Sequence, residues 1–164
     1  MHVQKLTKSA IFLALIVVSF LLFRGTTNIF NAVIVPLLIS ITIKDMKIKE
    51  GLTFIAAIIL LGFMFFRFQI FFIILYALLA VMLLYTKKNN YRFSTKALFF
   101  SATSAVGFFI VIRMTDLVLG SPIERALIAI SGGSFGNYLT LLLAQGLFVG
   151  LMLATMTKVK QFDL

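Results

Sequence analysis

The chain has 164 residues, of which 62% are hydrophobic and 12% charged, and its formal net charge is +10. Soluble domains are about half apolar and about a quarter charged, so this composition excludes an ordinary soluble core and indicates a helical membrane protein. Lysines that meet anionic lipid headgroups then explain the positive charge, and no nucleic-acid partner is expected. Because the chain has no cysteine and a single histidine, we expect no disulfide, no metal and no cofactor.

Six apolar segments follow one another and predict an all-α, polytopic bundle of six transmembrane helices in a single membrane domain. The expected helices cover residues 6–23, 29–43, 52–66, 68–85, 97–112 and 138–156. About 20 apolar residues span the hydrocarbon core, and these runs approach that length. The first segment also begins like a signal peptide, but Phe23-Arg24-Gly25 is not a small-residue cleavage site, so we interpret it as a retained helix.

Two stretches depart from this simple pattern. Pro36 lies inside the second segment, where it removes one backbone donor and predicts a kink. From Arg113 to Asn137, between the last two segments, charged and apolar residues are mixed. A short helix over 122–130, at or dipping into the membrane interface, is expected there.

The basic residues are distributed unequally between alternate loops. If the N-terminus is cytoplasmic, eleven of the 15 basic residues fall on the cytoplasmic side. These are Lys5, Lys8, Lys44, Lys47, Lys49, Lys87, Lys88, Arg92, Lys96, Lys158 and Lys160. The four on the outer side are Arg24, Arg67, Arg113 and Arg125. Since positive residues concentrate in cytoplasmic loops, this bias predicts that both termini are cytoplasmic.

Two stripes of small residues predict close contacts between helices. Ala10 and Ala14 share one face of the first helix, where small side chains let another helix approach, although alanine is also common in membrane helices. Gly146, Gly150 and Ala154 form a second stripe in the last helix. For that stripe, packing within this protein is favoured over dimerisation.

Polar residues near the outer ends of the helices are the candidate substrate-binding groups. They are Arg24, Asn28, Asn31, Arg113, Asp116, Asn137 and Gln145. They belong to turns that open on one side, so they could line one cavity with polar groups on an apolar wall. The alternative is that the arginines reach lipid headgroups and that Arg113 pairs with Asp116. Asn31 and Gln145 lie deeper, where an unpaired amide is costly, so each is expected to bond a neighbouring helix or a ligand.

The sequence carries no pattern typical of catalysis. It has no Walker motif, no HExxH motif, no Ser/His/Asp set and no paired acids within its apolar segments. The five acidic residues all lie near predicted helix ends or beyond them, so no buried carboxylate is available to couple transport to protons. We therefore expect a protein that is not an enzyme.

The opening stretch KLTKSAIFLAL, with its Ala10 and Ala14 pair, and the six-helix layout resemble the substrate-binding membrane (S) component of energy-coupling factor (ECF) vitamin transporters. The resemblance implies that the alanine pair docks on a separate transmembrane coupling subunit and that a pair of ATPases supplies the energy. It also implies a multi-pass subunit of the bacterial cell membrane that binds a small organic nutrient, such as a vitamin, near the outer face.

Other classes of function stay open. Rod-shape-determining MreD-type proteins look similar at this level, so the chain could be a membrane scaffold or assembly protein that acts through helix–helix contacts without a ligand. A third possibility is an intramembrane immunity or regulatory protein.

Overall fold

The computed structural model describes residues 3–23 and 29–158. Within these ranges the chain is all-helical and has no strand, which confirms the predicted all-α class. The described helices are α1 (Val3–Leu22), α2 (Asn31–Ile43), α3 (Ile48–Phe65), α4 (Ile70–Lys88), α5 (Phe93–Leu119), α6 (Ile123–Ile130) and α7 (Phe135–Met156). A short 3-10 turn, Arg67–Gln69, joins α3 to α4.

Five of the described helices, α1, α3, α4, α5 and α7, are long and apolar enough to cross a membrane. Helix α2 is also apolar, but it has only 13 residues. At 1.5 Å per residue it is about 20 Å long, against a hydrocarbon core of about 30 Å. The structure thus supports a helical membrane protein with five helices of spanning length and one shorter apolar helix.

Helix α5 extends at both ends beyond the predicted segment 97–112. It begins at Phe93 and ends at Leu119, where Gly120 takes a left-handed conformation with φ 65° and terminates the helix. Arg113 and Asp116 therefore lie on this helix and not in a loop. The apolar pattern missed these turns because a helix that continues beyond the membrane needs no apolar side chains there.

Helix α2 is the central element of the bundle. It contacts α1, α3, α4 and α7, and nine of its 13 residues are buried. Pro36 is among the buried residues, and the helix continues through it. Helix α4 links the two parts of the bundle, because it contacts α2 and α3 on one side and α5 on the other.

Helices α5 and α7 pack closely over most of their length. A Cβ atom added at Gly146 would lie 2.6 Å from Ala105 Cβ and 2.8 Å from the Ser101 carbonyl oxygen. At Gly150 it would lie 2.6 Å from Ser101 Cα. Ala154, the third member of the stripe, is fully buried. The glycines of this stripe thus lie against α5 of the same chain, where only hydrogen atoms fit.

The two ends of the bundle differ in their basic residues. The lysine end, as we call it, comprises the start of α1, the 44–47 loop, the 89–92 loop and residues 157–158. Contacts across it include a Lys8–Asp45 ion pair at 3.6 Å and the ammonium of Lys158 over the Phe93 ring. The arginine end comprises the 66–69 turn, the end of α5, α6 and the 131–134 loop, and its described basic residues are Arg67, Arg113 and Arg125.

Candidate functional site

An open cavity lies at the arginine end, where α5 turns into α6. Its volume is about 650 Å³, and it lies between the last turns of α5, the 120–122 turn and the first turn of α6. The polar side chains that line it are Arg113, Asp116, Ser121, Glu124 and Arg125. Of the candidate substrate-binding residues, it therefore brings together Arg113 and Asp116.

Arg113 and Glu124 form the ion pair that ties α5 to α6. The guanidinium contacts one carboxylate oxygen, Glu124 Oε1, through both Nε and a terminal nitrogen, each at 3.2 Å. Arg113 also lies over the ring of Phe109, 5.0 Å from its centroid. The side chain of Arg113 is half-exposed, whereas that of Glu124 is mostly covered. The guanidinium thus keeps a free edge, while its other edge is held by Glu124.

Asp116 closes the turn between α5 and α6. Its carboxylate accepts hydrogen bonds from the backbone N–H groups of Ile123 at 3.0 Å and Glu124 at 2.8 Å, and from the hydroxyl of Ser121 at 3.0 Å. These donors are at the start of α6, whose first N–H groups have no partner within the helix. A carboxylate there is also favoured by the helix dipole. Asp116 and Arg113 therefore have different partners, and they do not form the ion pair that the sequence suggested.

Arg125 is the exposed cation of the cavity. Among the described residues it makes no ion pair, so its guanidinium remains available to an anionic group. Tyr138 lies beneath this region, fully buried, and its hydroxyl has no hydrogen-bond partner within the described chain. It is close enough to Glu124, Arg113 and Asp116 to experience their charges. The exposed guanidinium of Arg125 suits an anionic group, and the Ser121 hydroxyl of the lining donates to Asp116.

The remaining candidate residues lie apart from this cavity. Asn137 is exposed near the start of α7, with its amide nitrogen close to Gly132. Gln145 is buried two turns deeper in α7 and does not line the cavity. Arg24 and Asn28 fall outside the described residues.

Asn31 bonds the neighbouring helix, one of the two outcomes expected for it. Its side-chain oxygen accepts a 2.5 Å hydrogen bond from the hydroxyl of Ser19, and its amide nitrogen donates to the carbonyl of Phe23 at 3.2 Å. The Asn31 side chain is fully buried. This polar contact links α1 to α2 inside the bundle and is not part of the cavity.

Helix α1 has two different faces. Ile16 and Phe20 are buried in the core on one face, together with Ser19. Ala10 and Ala14 are exposed on the other face, beside the larger exposed side chain of Ile11. In a bilayer that outer face meets lipid or another protein, and at the two alanines a second helix could come close to the α1 backbone.

Ser121, Glu124 and Arg125 are cavity residues that the sequence analysis did not assign to a site. The signal available was Pro122 followed by Glu124, since proline and an acidic residue are typical of a first helical turn.

Comparisons with protein-family models, with curated proteins and with solved structures found no match.

Proposed function

We propose that this protein is a solute-binding membrane subunit of a bacterial uptake system of the ECF type, in which separate coupling and ATPase subunits supply the energy. The observation that carries this proposal is the exposure of Ala10 and Ala14 on the outer face of α1. Small residues four positions apart form a groove into which a helix of another membrane protein fits. Turned away from their own bundle, they are available to a coupling subunit.

The proposed solute site is the cavity at the arginine end. Pockets for small molecules have volumes of about 300–1,000 Å³ and combine an apolar wall with a few polar groups. Arg125 and the free edge of Arg113 suit a carboxylate or phosphate on the solute, because guanidinium binds such groups through paired hydrogen bonds. Asp116 is engaged in the α5–α6 turn and acts as part of the wall. A small organic acid is the solute class that fits these groups best.

The proposed topology has six crossings, including α2, with the lysine end in the cytoplasm and the arginine end outside. Its support is the concentration of lysines at one end of the bundle. The chain has no cysteine, so single cysteines can be introduced for labelling. With a membrane-impermeant maleimide on intact cells, we expect Ser121→Cys to react at once and Met46→Cys only after lysis. The reverse pattern would invert the topology.

Docking through α1 is tested by co-purification of partner subunits with matched leucine variants. Ala10→Leu with Ala14→Leu fills the proposed groove. The control is Ala56→Leu with Ala102→Leu, which adds the same volume at exposed positions of α3 and α5. We expect the first pair to lose the coupling subunit and ATPases and the control to retain them. Retention by both pairs would show that α1 is not the docking helix.

Solute binding is tested by mass spectrometry of small molecules that co-purify with the protein, followed by thermal unfolding with and without the compounds found. Arg125→Gln should abolish the thermal stabilisation that the solute gives, while the protein without solute unfolds at an unchanged temperature. If Arg125→Gln leaves the stabilisation intact, the solute binds elsewhere.

A membrane scaffold that binds no solute is the second candidate, and one observation favours it. Asn31, the deepest polar candidate of α2, is engaged with α1, so fewer polar groups converge than a solute pocket built across the bundle would need. A protein that purifies without a small molecule and gains no stability from any nutrient, yet still binds a membrane partner through Ala10 and Ala14, would be such a scaffold.

A further inference from the structure

Three lysines from three different parts of the chain come together at the lysine end. Lys87 is in the last turn of α4, Lys96 in the first turns of α5, and Lys158 directly after α7. Lys96 is partly buried and lines the same small recess as Thr86, the residue before Lys87. The Lys158 ammonium also lies 4.2 Å from the centroid of the Phe93 ring, which holds it beside the start of α5. The packing of α4, α5 and α7 thus gathers like charges that repel one another.

No described acidic residue compensates these lysines. The described acids at this end are Asp45 and Glu50, and both are engaged near the α2–α3 loop. Asp45 pairs with Lys8, and its backbone carbonyl accepts a 3.0 Å hydrogen bond from Lys5. Glu50 accepts from the backbone N–H of Lys47 at 3.2 Å, at the start of α3. Part of the positive charge around the α2–α3 loop is therefore balanced, whereas the group on α4, α5 and α7 has no such partner among the described side chains.

An aromatic wall borders the same group of lysines. The rings of Tyr85 and Tyr91 lie 6.2 Å apart, and together with Lys96 and Phe99 they line a small apolar recess. Tyrosines concentrate where a membrane protein crosses from hydrocarbon to headgroup, because their rings are apolar and their hydroxyls polar. Tyrosines at such a boundary favour lipid phosphates as neighbours of the adjacent lysines.

We propose that Lys87, Lys96 and Lys158 form a binding site for the phosphate of a single anionic phospholipid, with the Tyr85–Tyr91 wall beside its glycerol and upper acyl carbons. A phosphate relieves the repulsion among the lysines and accepts hydrogen bonds from their ammonium groups. The site is independent of the uptake function proposed above. It differs from the general attraction of basic loops to the membrane because it depends on three named residues that tertiary packing brings together.

The test compares two triple variants that remove the same charge from the same end of the bundle. One is Lys87→Gln, Lys96→Gln and Lys158→Gln, and the control is Lys44→Gln, Lys47→Gln and Lys49→Gln. The protein is reconstituted in phosphatidylcholine vesicles containing a minor fraction of phosphatidylglycerol, extracted, and examined by native mass spectrometry for retained lipid. We expect the first variant to bind phosphatidylglycerol ten to a hundred times more weakly, on the order expected for the loss of three lysines, and the control to bind it nearly as wild type does.

Three results would overturn the proposal. Equal losses in the two variants would mean that only the overall surface charge attracts the lipid. Equal retention of phosphatidylglycerol and phosphatidylcholine by the wild type would mean that the headgroup charge is not recognised. Displacement of the lipid by millimolar inorganic phosphate would identify a site for free phosphate.

Lys158→Gln alone changes an exposed position after α7 and leaves the helices unaltered. We expect this variant to bind phosphatidylglycerol several-fold more weakly than the wild type.

Discussion

The close contact between α5 and α7 at Gly150 gives a sharp test of the fold. Gly150 faces Ser101, and an alanine Cβ there would lie 2.6 Å from Ser101 Cα and still closer to the backbone nitrogen and hydroxyl of the same residue. Non-bonded carbon atoms meet at about 3.5–4.0 Å, so α5 and α7 would have to separate locally by about 1 Å. We expect Gly150→Ala to lower the free energy of unfolding by about 1–3 kcal/mol, the range for overpacked cores.

A second glycine of the same helix provides the control. A Cβ at Gly136, in the first turn of α7, would lie 3.6 Å from Ser134 Oγ, which is an ordinary contact. Gly136→Ala should therefore leave stability unchanged or raise it by up to about 1 kcal/mol, because alanine is the better helix former. Both variants are unfolded in mixed micelles with increasing sodium dodecyl sulfate, and the loss of helix is followed by circular dichroism.

A second substitution, at Ser101, tests the same contact from the α5 side. Ser101→Gly removes the hydroxyl but leaves the backbone atoms of Ser101 in position. Combined with Gly150→Ala, it should restore only part of the lost stability. If Gly150→Ala is as stable as Gly136→Ala, or if Ser101→Gly restores it fully, α7 does not lie against the α5 backbone as described.

Three further substitutions test polar contacts. Ser19→Ala removes the donor to Asn31 and should cost about 1 kcal/mol in the same unfolding assay, as is usual between membrane helices; no loss would contradict this contact. Asp116→Ala should destabilise the start of α6 by about 1–2 kcal/mol and speed amide hydrogen exchange over 123–130, and Asp116→Asn should have a milder effect. Unchanged exchange would show that the Asp116 carboxylate does not hold the first N–H groups of α6. Arg113→Gln should cost less than about 1 kcal/mol, because its ion pair with Glu124 is half-exposed, and a larger loss would indicate a structural role.

The all-helical class was predictable because long apolar runs have few stable alternatives in a membrane, where every backbone polar group must be paired within the protein. Apolar runs do not predict how far a helix continues after it leaves the hydrocarbon core. Helix α5 continues to Leu119 through Arg113 and Asp116, two charged residues that follow the apolar run. The apolar pattern did predict a short second helix, over 29–43, and the structure has it at Asn31–Ile43.

The partners of polar residues depend on tertiary structure and were less predictable. Arg113 and Asp116 are three residues apart, so a pair within one helix was the local expectation. Helix α6 packs against the end of α5. Its Glu124 side chain pairs with Arg113, and its first backbone N–H groups donate to Asp116. Stronger partners from outside the helix therefore replaced the local one. Asn31 likewise bonds Ser19, a pairing set by how α1 and α2 pack.

The burial of α2 has a consequence for how the chain is made. Its neighbours α3, α4 and α7 are synthesised after it, whereas α1, which it also contacts, is synthesised before it. Asn31 bonds a partner outside α2, whereas the buried hydroxyls of Ser40 and Thr42 bond carbonyls of their own helix. The hydrogen bond from Ser19 to Asn31 would hold the α1–α2 hairpin together at the insertion site until α4 emerges. Nascent chains that stall before α4 should therefore be preferred targets of membrane proteases.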